Sequence, residues 1–387
     1  MNRRALSLSI GGLLAMATGI GVGRFVYTPI LPAMVEALSL SKSQAGLIAS
    51  ANFLGYLVGA LLAAVRLPGS RRFWLLASLA VTATCLLGMG LATTMPAFIG
   101  LRLVAGAASA FALIFSSALV IDRLSAAGQG ALSAVHFAGV GVGIAVSAIV
   151  VAVLLRAGAG WPVFWFASAA FAVIASLAVA WLVPADEAAV QSGQAARGTA
   201  LSADFVALLL SYGLFGFGYV ITATFIVDMV RGSSALAHLE PYIWVLFGLC
   251  AVPSVAMWAG LGQRWGVLRV YAVACGVEAA GVAASALWLH PASFVISAVF
   301  VGGTFIGLTA LGLVATRSSG GDPRGRIALM TASFSFGQIL GPAFAGHVYD
   351  ATGSLATPLL VAVAALALAA ILALVADAKR REFSPSR

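Results

Sequence analysis

Twelve apolar runs follow one another along this chain, each about as long as a bilayer is thick, with mostly short polar breaks between them. A helix crossing the ~30 Å hydrocarbon layer needs about 20 such residues. In lipid, the backbone polar groups of each run must be paired internally, which selects helices for runs of this length. The expected spans are 7–36, 43–65, 72–93, 96–121, 129–155, 161–183, 204–230, 241–262, 267–289, 292–316, 326–349 and 355–377. Composition agrees. Hydrophobic residues make up 62% of the chain and charged residues 9%, against roughly 25% charged in a soluble domain. The spans nearly fill the 387 residues, so any chemistry has to sit among the helices.

The opening Met-Asn-Arg-Arg and the apolar run behind it have the outline of a secretory signal, with Ala15-Met16-Ala17 as a cleavage site. The run continues through Met34, well past a signal core, and reads as a retained first span. With the N-terminus in the cytoplasm, sixteen Lys and Arg fall in inside segments and only Lys42, Arg156 and Arg231 fall outside. That is the bias that orients membrane proteins. It puts both basic termini in the cytoplasm, in what compact loops suggest is a bacterial inner membrane. It also accounts for the net charge of +9: the basic residues face an anionic leaflet, and no nucleic-acid partner is expected. Cys85, Cys250 and Cys275 lie far apart inside apolar runs. They have no disulfide or metal spacing, so no metal and no cofactor are expected.

The longest polar stretch, Pro184 to Asp204, falls halfway along and is rich in Ala, Gln, Gly and Ser. It divides the chain into an N-terminal six-helix unit (1–183), a cytoplasmic linker (184–203) and a C-terminal six-helix unit with a short tail (204–387). The halves are faintly alike. At an offset of 195, Gly21, Gly23, Met34 and Val35 fall on Gly216, Gly218, Met229 and Val230. A near-constant offset marks a duplicated unit, and two parallel six-helix repeats form one transporter architecture, with its site at the midplane between them. The expected fold class is therefore all-α, twelve transmembrane helices in two pseudo-symmetric six-helix bundles.

Three charged side chains lie well inside spans: Arg24, Arg102 and Glu278. Each costs roughly 2.5–3.5 kcal/mol at mid-bilayer and normally faces a partner or a wet cavity. Arg24 shares its face with Ala17, Gly21 and Thr28 at helical spacing, so that face meets something other than lipid. A guanidinium there matches a carboxylate or phosphate bidentately; the plainer reading is a packing role on backbone carbonyls. Arg102 heads a stripe with Gly106, Ser109 and Ser116. Glu278, flanked by Ala274, Cys275 and Gly281, is a carboxyl that holds a proton when dry and releases it when wetted, which makes it the candidate for proton coupling. Asn52, His136, Tyr212, Tyr219 and Gln338 add uncharged polar groups within spans. Asp122, at the inner end of the fourth span, can pair with Arg71 or Arg72 as a latch. His347, Asp350, Asp228 and Glu240 read as solvated rim residues.

Several stretches resemble the major facilitator superfamily. The superfamily loop after the second span reads Gly-x-x-x-Asp-Arg-x-Gly-x-Arg-Arg. Leu62 to Arg72 keeps Gly69, Arg71 and Arg72, with Leu62 at the first Gly and Arg66 at the Asp. Arg264, Gly266 and Arg269 repeat part of it after the eighth span, and Arg102-Leu-Val-Ala-Gly106 is similar to the Arg-x-x-x-Gly of the fourth span. Gly21-Val-Gly-Arg24-Phe-Val-Tyr27-Thr-Pro-Ile-Leu-Pro-Ala-Met34 and Phe336-Gly-Gln338-Ile-Leu-Gly-Pro342 resemble the YbfB/YjiJ-type branch. The resemblance implies a cavity lined by spans 1, 2, 4, 5, 7 and 11. It places Tyr27 with Arg24, Asn52, Arg102, His136, Tyr212, Tyr219 and Gln338 as substrate contacts, and Gly69, Arg71 and Arg72 with Asp122 in gating.

The expected activity is secondary transport of a small solute by alternating access, proton-coupled and favouring a small organic anion, in a monomer. The reason is that two intramembrane arginines face one glutamate, itself expected to be neutral. The alternative is proton-driven efflux of hydrophobic drugs or metabolites, which the aromatic stripe on the seventh span would suit. There is no phosphate-binding loop, and His136, His238, His290 and His347 are too scattered for an enzyme centre.

Overall fold

A computed structural model describes residues 3–65, 67–184, 201–317 and 323–383. Arg66 and the middle of the expected linker, 185–200, lie outside them. Among the described residues every regular element is helical. The membrane-length helices are α1 (Arg4–Leu38), α2 (Lys42–Ala63), α3 (Arg71–Leu91), α4 (Met95–Ala126), α5 (Gly130–Arg156) and α6 (Trp161–Leu182). They continue as α7 (Ala203–Arg231), α8 (Ala237–Ala251 with Ser254–Trp265), α9 (Val267–Leu287), α10 (Pro291–Arg317), α11 (Gly325–Thr352) and α12 (Ala356–Arg381). Eleven are continuous, and α8 makes the twelfth if its two pieces, bent by 41°, form one span. The sequence reads 241–262 as unbroken. The bend falls at Pro253, which has no N–H to give and crowds the preceding turn.

A second irregularity sits in α1. Ala17–Val22 forms a π-helical turn, fully buried, before the helix resumes at Gly23. The wider turn breaks the 3.6-residue period, so Ala17 does not share a face with Arg24 as regular spacing predicts.

The packing repeats itself. In the first half α2 lies on α4, α3 on α4 and α6, and α1 on α5 and α6; in the second half α8 lies on α10, α9 on α10 and α12, and α7 on α11 and α12. Each pairing in one half recurs six helices later in the other. Between halves, α2 meets α11, α5 meets α8, and the end of α1 meets α7. Two cross-links join residues 195 apart: Thr28 Oγ1 donates to the Ala223 carbonyl at 2.7 Å, and Arg231 pairs with Glu36. That is the repeat offset seen in the sequence, so each of these residues touches its own counterpart near the pseudo-twofold axis.

Glycine allows the closest approaches. A Cβ on Gly55 of α2 would come within 1.9 Å of the Leu103 carbonyl of α4, and one on Gly106 within 1.9 Å of the Asn52 carbonyl. Small residues at such crossings bring backbones into contact where lipid gives no hydrophobic drive. The α2–α4 seam therefore fixes where Asn52 and Arg102 lie.

Candidate functional site

Arg24 stands at the centre of the molecule, past the middle of α1, and is buried. Its Nη2 donates to Gln338 Oε1 of α11 at 2.8 Å, a bond between the two halves. Gln338 Nε2 in turn donates to the Tyr219 hydroxyl of α7. Thus Arg24 and Tyr219, matched at the repeat offset, meet through one amide. The guanidinium carbon lies 4.5 Å from the Phe53 ring centroid and 4.6 Å from that of Tyr56. Ring faces attract a cation by roughly 0.5–2 kcal/mol. No carboxylate pairs with Arg24 among the described residues, and its Nε–H has no acceptor.

Arg102 of α4 lies next to it and is engaged differently. Nη1 and Nη2 donate to the Gly23 and Arg24 carbonyls at 3.3 and 3.1 Å, and the guanidinium covers the Tyr27 ring at 5.0 Å. These carbonyls sit just past the π turn. Asn52 Nδ2 donates to the Arg102 carbonyl at 3.0 Å, and the Tyr27 hydroxyl to that of Ala45 at 2.9 Å. Arg102, Asn52 and Tyr27 therefore hold backbone in place around Arg24.

On the C-terminal side the site is walled by rings. Tyr219 stacks on Phe215, Phe305 and Phe334 with centroids 5.2, 5.5 and 6.0 Å away and planes within 27°. Tyr212 stacks on Phe334 at 4.9 Å, and its hydroxyl donates to the Thr309 carbonyl. Sequence reading finds Tyr212, Phe215 and Tyr219 as a stripe; Phe305 and Phe334, from other helices, complete it.

Glu278 of α9 is fully buried, and neither carboxyl oxygen has a hydrogen-bond partner among the described residues. Thr304 lies beside it but gives its proton to the Phe300 carbonyl at 2.6 Å. Glu278 lies near Tyr219. His136 lies elsewhere: its Nε2 is 3.2 Å from Ser117 Oγ and its ring presses on Gly12, three turns from Arg24 along α1. The structure does not bring it to the central cluster.

At the face carrying the chain ends, Arg71 pairs with Asp122 at 3.4 Å. Arg72 instead donates to the Val183 and Ala180 carbonyls, and Gly69 takes a positive φ of 94° that other residues rarely adopt. All these contacts lie within the first half.

The opposite face is tied across the halves. Lys42 Nζ lies 2.7 Å from both Asp228 carboxylate oxygens, and Arg231 bonds Glu36 and Glu240. Asp350 of α11 accepts from the Lys42 and Ser43 backbone N–H groups at 3.0 and 2.9 Å. Asp228 is buried rather than a solvated rim residue. Nothing local in the sequence announces the links between the halves, because their partners lie 186 or more residues apart; only Arg231–Glu240 is local, at nine residues.

Duplicated six-helix packing around a charged cluster, with the halves tied across one face, is the arrangement of two-bundle transporters. The profile described as "Uncharacterised MFS-type transporter YbfB" matches residues 16–374. The chain belongs to that family, within the major facilitator superfamily, and is a multi-pass secondary transporter of a small molecule. No curated protein matches it. Among solved structures it is similar to the nucleoside transporter NupG (TM-score 0.71, 16% identity, 98% of this chain and 100% of that one). It is also similar to a bacterial homolog of the human lysosomal transporter Spinster, inward-facing and unoccupied (TM-score 0.68, 15% identity, full coverage of both). These likenesses are of fold.

Proposed function

We propose that this transporter carries a small organic anion together with a proton. It would do so by alternating access between halves 1–183 and 204–387, joined by the 184–203 linker. The observation that carries the reading is Arg24: a buried guanidinium at the centre, bonded to a neutral amide of the opposite half and paired with no acid among the described residues. Packing alone gives little reason to keep such a charge, whose insertion costs roughly 2.5–3.5 kcal/mol. A carboxylate would offer it two charge-assisted bonds.

The Gln338 amide oxygen holds the acceptor position on Arg24. A carboxylate taking that position would release the Arg24–Gln338 link between the halves, so binding and movement become one event. Glu278, without a hydrogen-bond partner among the described residues, is the group we assign to the proton; it would bind one when dry and lose it when water enters. The Arg71–Asp122 pair ties the end of α3 to that of α4, Arg72 ties it to the end of α6 and Gly69 shapes the turn before it, so that this end of the first half moves as a piece. In this reading both termini are cytoplasmic, the membrane is a bacterial inner membrane, the tied face is the outer one and the monomer is sufficient.

The test is a thermal-shift and uptake screen of small carboxylates against the purified wild type and Arg24→Gln. A ligand that binds the native state raises its stability by mass action. Stabilisation and uptake of an anion by wild type alone support the reading. The ring wall favours one competing reading, efflux of hydrophobic compounds. Lipophilic cations that stabilise both proteins equally, with no anion acting on either, would establish that reading instead.

A further inference from the structure

We infer that the anion bound at Arg24 is an aromatic monocarboxylate, carried without an amino group. This inference rests on the anion reading above and narrows it. Three features of the site bear on it, each concerning different atoms.

The first is that only one guanidinium is offered. Arg102 is as buried as Arg24, but both its terminal nitrogens are committed to the Gly23 and Arg24 carbonyls. A second carboxylate would have to break the contacts that hold α1 against α4. Arg24 gives one nitrogen to an exchangeable amide and keeps Nε–H unspent. One free fork matches one carboxylate.

The second is the surface next to that fork. Gln338 leads from Arg24 directly to Tyr219. The Tyr219 ring lies 18° from the plane of Phe305 and 5° from that of Phe334. A ligand whose carboxylate replaces the Gln338 oxygen has its body beside this set of near-parallel rings. Flat aromatic groups meet such rings in offset-stacked or edge contacts that a flexible chain cannot reproduce.

The third is the absence of a place for a cation. No described carboxylate bonds to any member of the cluster. Glu278 makes no hydrogen bond to the cluster either, and the charge already present at the site is that of two arginines. A substrate ammonium would be repelled and left without an acceptor, so zwitterionic amino acids are disfavoured even when their side chains are aromatic.

The experiment measures binding by thermal shift in detergent at neutral pH, using benzoate, phenylacetate, butanoate, succinate and phenylalanine on wild type, Arg24→Gln and Phe305→Leu. Benzoate or phenylacetate is expected to bind wild type about tenfold more tightly than butanoate, one good ring contact's worth. Succinate and phenylalanine should give no shift at the same concentrations. Phe305→Leu should remove most of the aromatic preference while leaving butanoate within about threefold, and Arg24→Gln should abolish every shift. Succinate, butanoate or phenylalanine binding as tightly as benzoate overturns the inference but leaves an anion carrier standing. Benzoate binding unchanged in Arg24→Gln, or no response to any carboxylate, overturns both. Because the wild-type panel alone decides the ligand class, a variant that fails to fold does not block the test.

Discussion

Replacing Asp228 by asparagine should loosen the tied face by an amount the structure lets us estimate. Lys42 Nζ sits 2.7 Å from both carboxylate oxygens, and the two side chains are only 15% and 9% exposed. Exposed ion pairs contribute about 0–1 kcal/mol, whereas removing one partner of a fully buried pair costs about 3–5 kcal/mol. This pair lies between those limits, so we take about 2 kcal/mol. The pair joins the two halves, and in the opened state Lys42 regains water. The loss therefore falls on the tied state and shifts the equilibrium toward opening by roughly 30-fold, since 1.4 kcal/mol is a factor of about ten. The reporter is Ala223→Cys, a buried position whose carbonyl accepts from Thr28. It is read in a Cys250→Ser background, because Cys85 and Cys275 are buried. Labelling by a membrane-impermeant maleimide should accelerate by roughly the same factor in Asp228→Asn. The charge exchange Lys42→Asp with Asp228→Lys should slow it again. An unchanged labelling rate in a correctly folded Asp228→Asn protein would refute the assignment of this pair as a lock.

Other expectations follow from the same geometry. Arg24→Lys keeps the charge but loses the fork, so anion uptake in proteoliposomes should fall by about tenfold or more; near-normal uptake would mean the charge alone suffices. Glu278→Gln should retain substrate exchange while losing the response of uptake to an imposed pH gradient, and a retained response would remove Glu278 from coupling. Gly55→Ala places a methyl group 1.9 Å from the Leu103 carbonyl and should lower stability by about 1–3 kcal/mol, visible as a reduced melting temperature, whereas Gly100→Ala meets nothing within 4 Å and should be silent.

The fold was legible because lipid makes a simple demand on each span. Runs of apolar residues predict all twelve spans, eleven of which are continuous helices in the structure, and some ends move outward where a helix outlasts the hydrocarbon layer, as α4 does by continuing to Ala126. What hydropathy could not show is where a span breaks. The bend at Pro253 and the π turn at Ala17–Val22 are both apolar in sequence, and each depends on backbone pairing rather than on polarity. The charged members of the central cluster were legible for a similar reason: an arginine inside a span is conspicuous. Their division of labour was not. That Arg102 is held by carbonyls while Arg24 is not depends on how α4 lies against the end of the π turn. Likewise Phe305 and Phe334 look like ordinary packing residues until three helices set them parallel to Tyr219. Asp228 reads as a solvated rim residue because it sits at the end of an apolar run, where solvation is the usual fate, and its partner Lys42 lies 186 residues away.

The α2 N-terminus has its open amides capped from two sources. Ser41 and Gln44 already close a reciprocal capping box within the same chain segment, and Asp350 reaches across from α11 to take two more of the amides that start the helix. The first turn of an isolated helix leaves four such donors open. Because the local box persists when Asp350 withdraws, the helix can surrender its borrowed carboxylate to the solvent without unwinding. The halves are thus fastened by a bond that one partner can do without, a clasp rather than a weld. Parting them leaves a folded helix with two wet amides, ready to receive the same carboxylate when the faces return.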